Sequence, residues 1–155
     1  GFTGTQIGAI SKTAGLVAVI LGGMMGGLIM VKLAINRALW LFGIVQIISI
    51  LGFAILSEVG PNPWMLGIAV FFEYLGVGLG AAALIAFMAR TTNPSFAATQ
   101  LALFTAIAAV PRVFANSVTG VIAEQTGWTN FFLLCMVFAI PGMLLLIKVA
   151  PWNEN

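Results

Sequence analysis

Five long apolar runs, separated by short polar segments, dominate the pattern of residues along the chain. A helix needs about 20 mostly apolar residues to cross the hydrocarbon core of a bilayer. The strands of a membrane barrel alternate apolar and polar positions, and none of these runs shows that alternation. The pattern therefore predicts an all-α, polytopic membrane protein. Its five transmembrane helices are expected at approximately residues 8–31, 38–56, 64–89, 96–123 and 128–147.

The charged residues between the runs predict which helix ends face the cytoplasm. Lys and Arg follow the first, third and fifth runs, whereas Glu follows the second and fourth. Because cytoplasmic loops are enriched in Lys and Arg, the basic side is expected to be inside. The first residues of the chain are then outside and its last residues are cytoplasmic. The inner residues would be Lys32, Arg37, Arg90 and Lys148, and the outer ones Glu58 and Glu124.

Composition agrees with a bilayer as the surrounding solvent. The chain is 61% hydrophobic and 6% charged, with a mean hydropathy of +1.14, whereas soluble domains are about 25% charged. The net charge of +2 is scattered along the chain, so no nucleic-acid partner is expected. The chain begins at Gly1 without a charged leader, and we expect it to be a piece of a longer protein.

Several kinds of catalytic and metal site lack the residues they require. The chain has no His and no Asp, and Cys135 is its single cysteine. A Ser-His-Asp triad, an aspartyl dyad and a zinc site therefore cannot be built from it. We expect no enzyme activity, no metal and no cofactor.

Three ionisable residues fall within the apolar runs. Glu73 and Arg112 lie roughly 13 Å and 16 Å from the outer ends of their helices, and Lys12 lies at about 8–10 Å. A charge at the bilayer centre costs about 2.5–3.5 kcal/mol, so such residues face a protein interior or a wet cavity. An ion pair between Glu73 and Arg112 is geometrically possible at these depths. Lys12, being shallower, could instead reach the membrane surface.

Polar neighbours extend these three positions into a candidate pathway. Thr105 and Asn116 share a helical face with Arg112, and Gln46 lies in the second run. Two interpretations stay open at this point. The charges either form a structural salt bridge or line a path for a solute and a proton, as intramembrane charges often do. The candidate residues are Glu73, Arg112, Lys12, Gln46, Asn116 and Thr105.

Glycine pairs predict where helices touch. Gly22 with Gly26 and Gly23 with Gly27 form overlapping GxxxG pairs in the first run, and the third run contains another at residues 76 and 80. Small residues allow helix backbones to approach closely within lipid. We expect these glycines to act in packing.

Short motifs occur along almost the whole chain. They are Lys12-Thr13-x-Gly15-Leu16, Asn36-Arg37-Ala38-Leu39, Phe71-Phe72-Glu73, Ser95-Phe96-Ala97-Ala98-Thr99-Gln100, and Gly127-Trp128 followed by Phe131-Phe132. In these motifs the chain resembles the second half of the AmpG-type muropeptide permeases, a family of the major facilitator superfamily. The resemblance implies that the five helices are the eighth to twelfth of twelve. The first helix of this C-terminal six-helix bundle, and the N-terminal half, would then lie outside the chain.

The resemblance also implies a function. AmpG-type permeases import anhydromuropeptides, the products of cell-wall turnover, across the bacterial inner membrane together with protons. Glu73, Arg112 and Lys12 would face the central cavity between the two halves. The chain departs from the family pattern at Pro94, Pro111 and Asn116-Ser117. Two alternatives remain: a sibling permease for another sugar, peptide or acyl-CoA solute, and a membrane scaffold without transport activity.

Overall fold

The computed structural model describes residues 2–153, which form five long helices and no strand. All five are long and apolar enough to cross a membrane. The predicted all-α membrane architecture with five spanning helices is therefore confirmed. The helices are α1 (Gly4–Lys32), α2 (Ile35–Val59), α3 (Pro63–Thr91), α4 (Ala97–Thr126) and α5 (Trp128–Val149).

Polar caps explain why α1 and α3 begin earlier than the apolar runs. At the start of α1, the Thr3 hydroxyl accepts from the Gln6 N–H at 3.3 Å, and the Gln6 side chain accepts from the Thr3 N–H at 3.1 Å. This reciprocal pair is a capping box. At the start of α3, the Asn62 side chain accepts from the backbone N–H groups of Trp64 and Met65. Hydropathy alone misses such residues because they are polar.

Helix α3 is central, with α1 packed against one side and α2 against the other. The contact between α1 and α3 is closest at glycines. A Cβ atom on Gly22 would overlap the backbone carbonyl of Leu75, and one on Gly78 would overlap that of Val19. By contrast, a Cβ atom on Gly23 or Gly27 would meet no neighbouring group within 4 Å among residues 2–153. Of the two overlapping glycine pairs, the one at residues 22 and 26 is therefore the pair at the interface.

Helices α4 and α5 differ in how closely they pack against the rest of the bundle. Helix α5 lies against α2 along much of its length, whereas α4 touches α3 and α5 only over short stretches. Ala123 is the one buried residue of α4. A single residue, Gly127, connects α4 to α5, and its φ of 81° is in the left-handed region that favours glycine.

Polar side chains join the helices at both ends of the bundle. At one end, Asn36 donates to the carbonyl of Pro151 at 3.1 Å, and Arg90 donates to the Asn36 side-chain oxygen at 2.6 Å. At the other end, the Thr129 hydroxyl donates to the Glu58 carboxylate at 2.7 Å. The ends of α1, α3 and α5 are thus at one face, as the loop charges predicted. Which face is cytoplasmic stays a prediction.

Candidate functional site

Glu73 on α3 is held by two neutral donors from α2. The Gln46 side chain donates from Nε2 to Glu73 Oε1 at 2.6 Å, and the Ser49 hydroxyl contacts Glu73 Oε2 at 2.7 Å. Gln46 and Ser49 are three residues apart and therefore point from the same face of α2. Glu73 and Gln46 are partly buried, and Ser49 is buried. Each oxygen of the carboxyl group thus has a partner on the neighbouring helix.

This polar layer lies between two apolar cores formed by α2 and α3. One core contains Ala38, Phe42, Leu79 and Ala83. The other contains Leu56, Leu66 and Val70. Along both helices, the residues of the polar layer come between those of the two cores. Apolar packing on both sides therefore fixes the separation of the helices at the level of the carboxyl group.

Gly76 makes room for the Gln46 side chain. A Cβ atom at Gly76 would lie 2.6 Å from the Gln46 side-chain oxygen, which is too close for an ordinary contact. A Cβ atom at Gly80, its partner in the predicted pair, would have no such neighbour within 4 Å. Gly76 is therefore a packing residue as predicted, but its neighbour is the amide that holds Glu73. Among residues 2–153, no neighbour therefore requires the absence of a side chain at Gly80.

A cavity of about 460 Å³ opens beside the polar layer, between α2 and α3. Ser49 is the one polar side chain among its described lining residues, and the others include Val45, Ile48, Ile68 and Phe72. The cavity is thus almost wholly apolar. Ser49, whose hydroxyl contacts Glu73, therefore lies at the wall of this open space.

Lys12 lies in a π-helical turn, Ser11–Gly15, that interrupts α1. Such turns are rare and often occur at functional sites. At the end of the turn, a Cβ atom on Gly15 would lie 3.2 Å from the Tyr74 ring, so the turn packs beside the residue that follows Glu73. The Lys12 side chain is exposed and makes no ion pair among the described residues. The pattern of residues along the chain gives no signal for this turn.

The structure does not bring the candidate residues of α4 to Glu73. Arg112, Asn116 and Thr105 are all exposed, and the Thr105 hydroxyl donates to carbonyls of its own helix. Within residues 2–153, Arg112 forms no ion pair. The possible pair between Glu73 and Arg112 is therefore not formed. Its physical reason is the loose packing of α4, together with the two donors from α2 that already hold the carboxyl group.

Ser49 is the site residue that the candidate set lacked. The sequence does place Ser49 on the same helical face as Gln46, because the two residues are three apart. In the part of the chain that the structure describes, no three His, Cys, Asp or Glu side chains are close enough to hold a metal ion. The partners of the Glu73 carboxyl group are instead a side-chain amide and a hydroxyl, both neutral.

No protein-family model matches the chain, but individual proteins do. An uncharacterized protein of Haemophilus influenzae is 46% identical over 162 aligned residues, which cover 100% of this chain and 38% of that protein. The anhydromuropeptide permease of Escherichia coli K12 is 42% identical over 147 residues, covering 95% of this chain and 30% of the permease. A Rickettsia prowazekii protein named as an AmpG transporter is 32% identical over 149 residues, which cover 96% of this chain and 34% of that protein. Over nearly its whole length the chain is therefore similar to part of the AmpG-type permeases.

This similarity confirms the resemblance seen in the motifs. The chain spans about a third of the length of these relatives. The E. coli and Rickettsia relatives are named as a permease and a transporter, not as enzymes. The five apolar helices and the similarity to permeases together indicate a multi-pass membrane protein. Its correspondence to a six-helix half that lacks its first helix stays a prediction, as do the roles of the candidate residues.

Proposed function

We propose that this chain is part of a secondary transporter that imports anhydromuropeptides across the bacterial inner membrane with protons. The observation that carries the proposal is its similarity to the E. coli anhydromuropeptide permease over 95% of the chain. The helices of this chain would be the eighth to twelfth of the transporter. Its partners are the N-terminal half of the same transporter, the lipid bilayer, the solute and the proton.

Glu73 is the residue that we propose to carry the proton. The chain has four acidic residues. Glu58 and Glu124 are near helix ends, and Glu154 lies outside the described residues. Among the described residues, Glu73 is therefore the one acid well inside a spanning helix, where an ionisable residue is energetically costly and usually functional. This position supports a role in coupling rather than at the membrane surface.

The hydrogen bonds of Ser49 support a carboxyl group that can exist in both protonation states. The Ser49 hydroxyl lies 2.8 Å from the Gln46 carbonyl and 2.7 Å from Glu73 Oε2. It has one hydrogen, so it can donate to only one of these two acceptors when Glu73 is ionised. When Oε2 carries a proton, Glu73 donates to the hydroxyl while the hydroxyl donates to the carbonyl. Every polar group in this chain of contacts has a partner in either state, because the Gln46 carbonyl lies inside α2 and also accepts from a backbone N–H of that helix.

Arg112 and Lys12 are proposed to attract the anionic part of the solute. Both side chains are exposed, and neither forms an ion pair within residues 2–153. An arginine keeps its charge at any physiological pH, and muropeptides carry carboxylates. Asn116 and Thr105, near Arg112 on α4, would add neutral hydrogen-bonding groups to the same pathway. Gln46 would act indirectly by holding Glu73.

Substituting glutamine for Glu73 tests the coupling role in the full-length protein. Glu73→Gln keeps the shape and a hydrogen-bonding group but cannot release a proton. We expect it to lose accumulation of anhydromuropeptide against a gradient while retaining part of the exchange of solute across the membrane. Uptake into vesicles with an imposed proton gradient, and solute counterflow without one, measure the two activities.

Glu124→Gln is the matched control, because Glu124 is exposed near the end of α4. It should retain both accumulation and exchange. If Glu73→Gln accumulates solute as well as the unmodified protein does, Glu73 has a structural role. If the unmodified protein moves another sugar, peptide or acyl-CoA solute but no muropeptide, it is a sibling permease. A protein that moves none of these solutes would be a scaffold.

A further inference from the structure

A second polar site lies at the end of the bundle, far along the helices from Glu73. It is an open depression of about 540 Å³ between the end of α1, the start of α2 and the last turn of α3. Lys32, Arg37 and Arg90 all line it. These are half of the six basic residues in the chain. None of its lining residues in the described part of the chain is acidic.

Neutral contacts hold the two arginines in place. Arg90 donates to the Asn36 side-chain oxygen at 2.6 Å, and its guanidinium carbon is 5.4 Å from the centre of the Phe87 ring. Arg37 donates from Nε to the carbonyl of Trp152 at 3.3 Å and lies 5.9 Å from the centre of that residue's ring. A guanidinium has five N–H donors, so each arginine retains others. Both side chains are oriented without being neutralised.

Lys32 is the third cation and the least constrained. It is exposed in the last turn of α1 and makes no hydrogen bond or ion pair with residues 2–153. The start of α2 lines the same depression, and its N-cap residue Ala34 provides no side-chain cap. Unpaired N–H groups at a helix start add partial positive charge to that of the three side chains. The depression therefore carries three positively charged side chains, with no counter-charge among its described lining residues.

The depression is also at the level of a membrane surface. Lys32 and Arg90 are in the last turns of two membrane-spanning helices. Val31, which also lines it, is 82% exposed and adds apolar surface beside the basic residues. Basic pockets between membrane helices bind lipid head groups, and the adjacent apolar surface suits acyl chains. We propose that this depression binds the phosphate group of an anionic phospholipid.

The experiment compares lipids on the full-length protein purified in detergent. Native mass spectrometry with added phosphatidylglycerol or phosphatidylcholine measures how strongly each lipid is retained. We expect retention of phosphatidylglycerol to exceed that of phosphatidylcholine. Lys32→Gln should weaken retention of phosphatidylglycerol about fivefold, the effect of one basic residue near a charged lipid surface. Lys32→Arg, which keeps the positive charge, should retain phosphatidylglycerol as strongly as the unmodified protein does.

Lys148→Gln is the matched control, because Lys148 is an exposed lysine in the last turn of α5 but does not line the depression. It should leave lipid retention unchanged. Lys32 has no partner within the described residues whose loss could unfold the protein. The proposal would be overturned if Lys32→Gln and Lys148→Gln weakened retention of phosphatidylglycerol equally. It would also be overturned if the unmodified protein retained phosphatidylglycerol and phosphatidylcholine equally. Displacement of the lipid by millimolar inorganic phosphate would support a phosphate site but overturn the lipid as its source.

Discussion

Replacing Gly22 with alanine tests whether the contact between α1 and α3 depends on the absence of a side chain. The new Cβ would overlap the Leu75 carbonyl oxygen and lie 3.1 Å from the Cα atom of Gly78. Both neighbours are backbone atoms, so neither can rotate away as a flexible side chain would. The two helices must separate locally, and the dispersion contacts that hold them together in lipid become weaker.

The magnitude follows from the kinds of interaction that change. Overpacking a close contact typically costs about 1–3 kcal/mol, whereas alanine in place of glycine favours a helix by roughly 0.5–1 kcal/mol. Gly22→Ala should therefore lower the free energy of unfolding. Gly23→Ala is the matched control, because a Cβ there would meet no neighbouring group within 4 Å. It gains the helix preference without the overlap, and it should be neutral or slightly stabilising.

The assay is thermal unfolding of the full-length protein in detergent, followed by loss of the monodisperse peak in size-exclusion chromatography. The two variants differ by one position along the same helix, so detergent binding and expression level affect them alike. We expect the melting temperature of Gly22→Ala to fall below that of Gly23→Ala. Equal melting temperatures would refute the close approach of α1 and α3.

Two further predictions concern the polar layer and the orientation. Ser49→Ala should lower the free energy of unfolding by about 1–2 kcal/mol, the size of a hydrogen bond between membrane helices in model peptides. Ser117→Ala should have little effect in the same thermal assay, because the Ser117 hydroxyl donates only to a carbonyl of its own helix. Equal effects would contradict the role of Ser49. A cysteine introduced at Asn62 should react with an impermeant reagent added outside cells, and one at Thr92 should not; the opposite pattern would reverse the orientation.

Much of the fold could be predicted from the chain because lipid requires long apolar helices. The runs of hydropathy identified all five helices, and the small residue Gly22 marked a real helix contact. The helix ends were less predictable, since α1 begins at a capping box formed by Thr3 and Gln6. The π-helical turn around Lys12 left no mark in the pattern. Its residues are compatible with an ordinary helix, and the turn ends where Gly15 packs against the Tyr74 ring of α3.

The site was predicted in part. Glu73 and Gln46 lie together as members of one polar layer, but the ion pair with Arg112 did not form. Depth in the membrane is one coordinate, and two residues at equal depth can lie on helices that do not touch there. The direction in which a helix face points depends on which helices pack together. That arrangement of helices cannot be determined from spacing along a single chain.

The connection between α2 and the end of α5 has a consequence for the order of events during synthesis. The Trp40 side chain donates to the carbonyl of Ala150 at 3.0 Å, and Asn36 donates to that of Pro151. These partners are 110 and 115 residues apart in the chain. The ribosome therefore produces the donors long before the acceptors, and α5 must already be made when the contacts form. A folding intermediate with the earlier helices inserted must keep the first turns of α2 accessible until the C-terminal segment arrives.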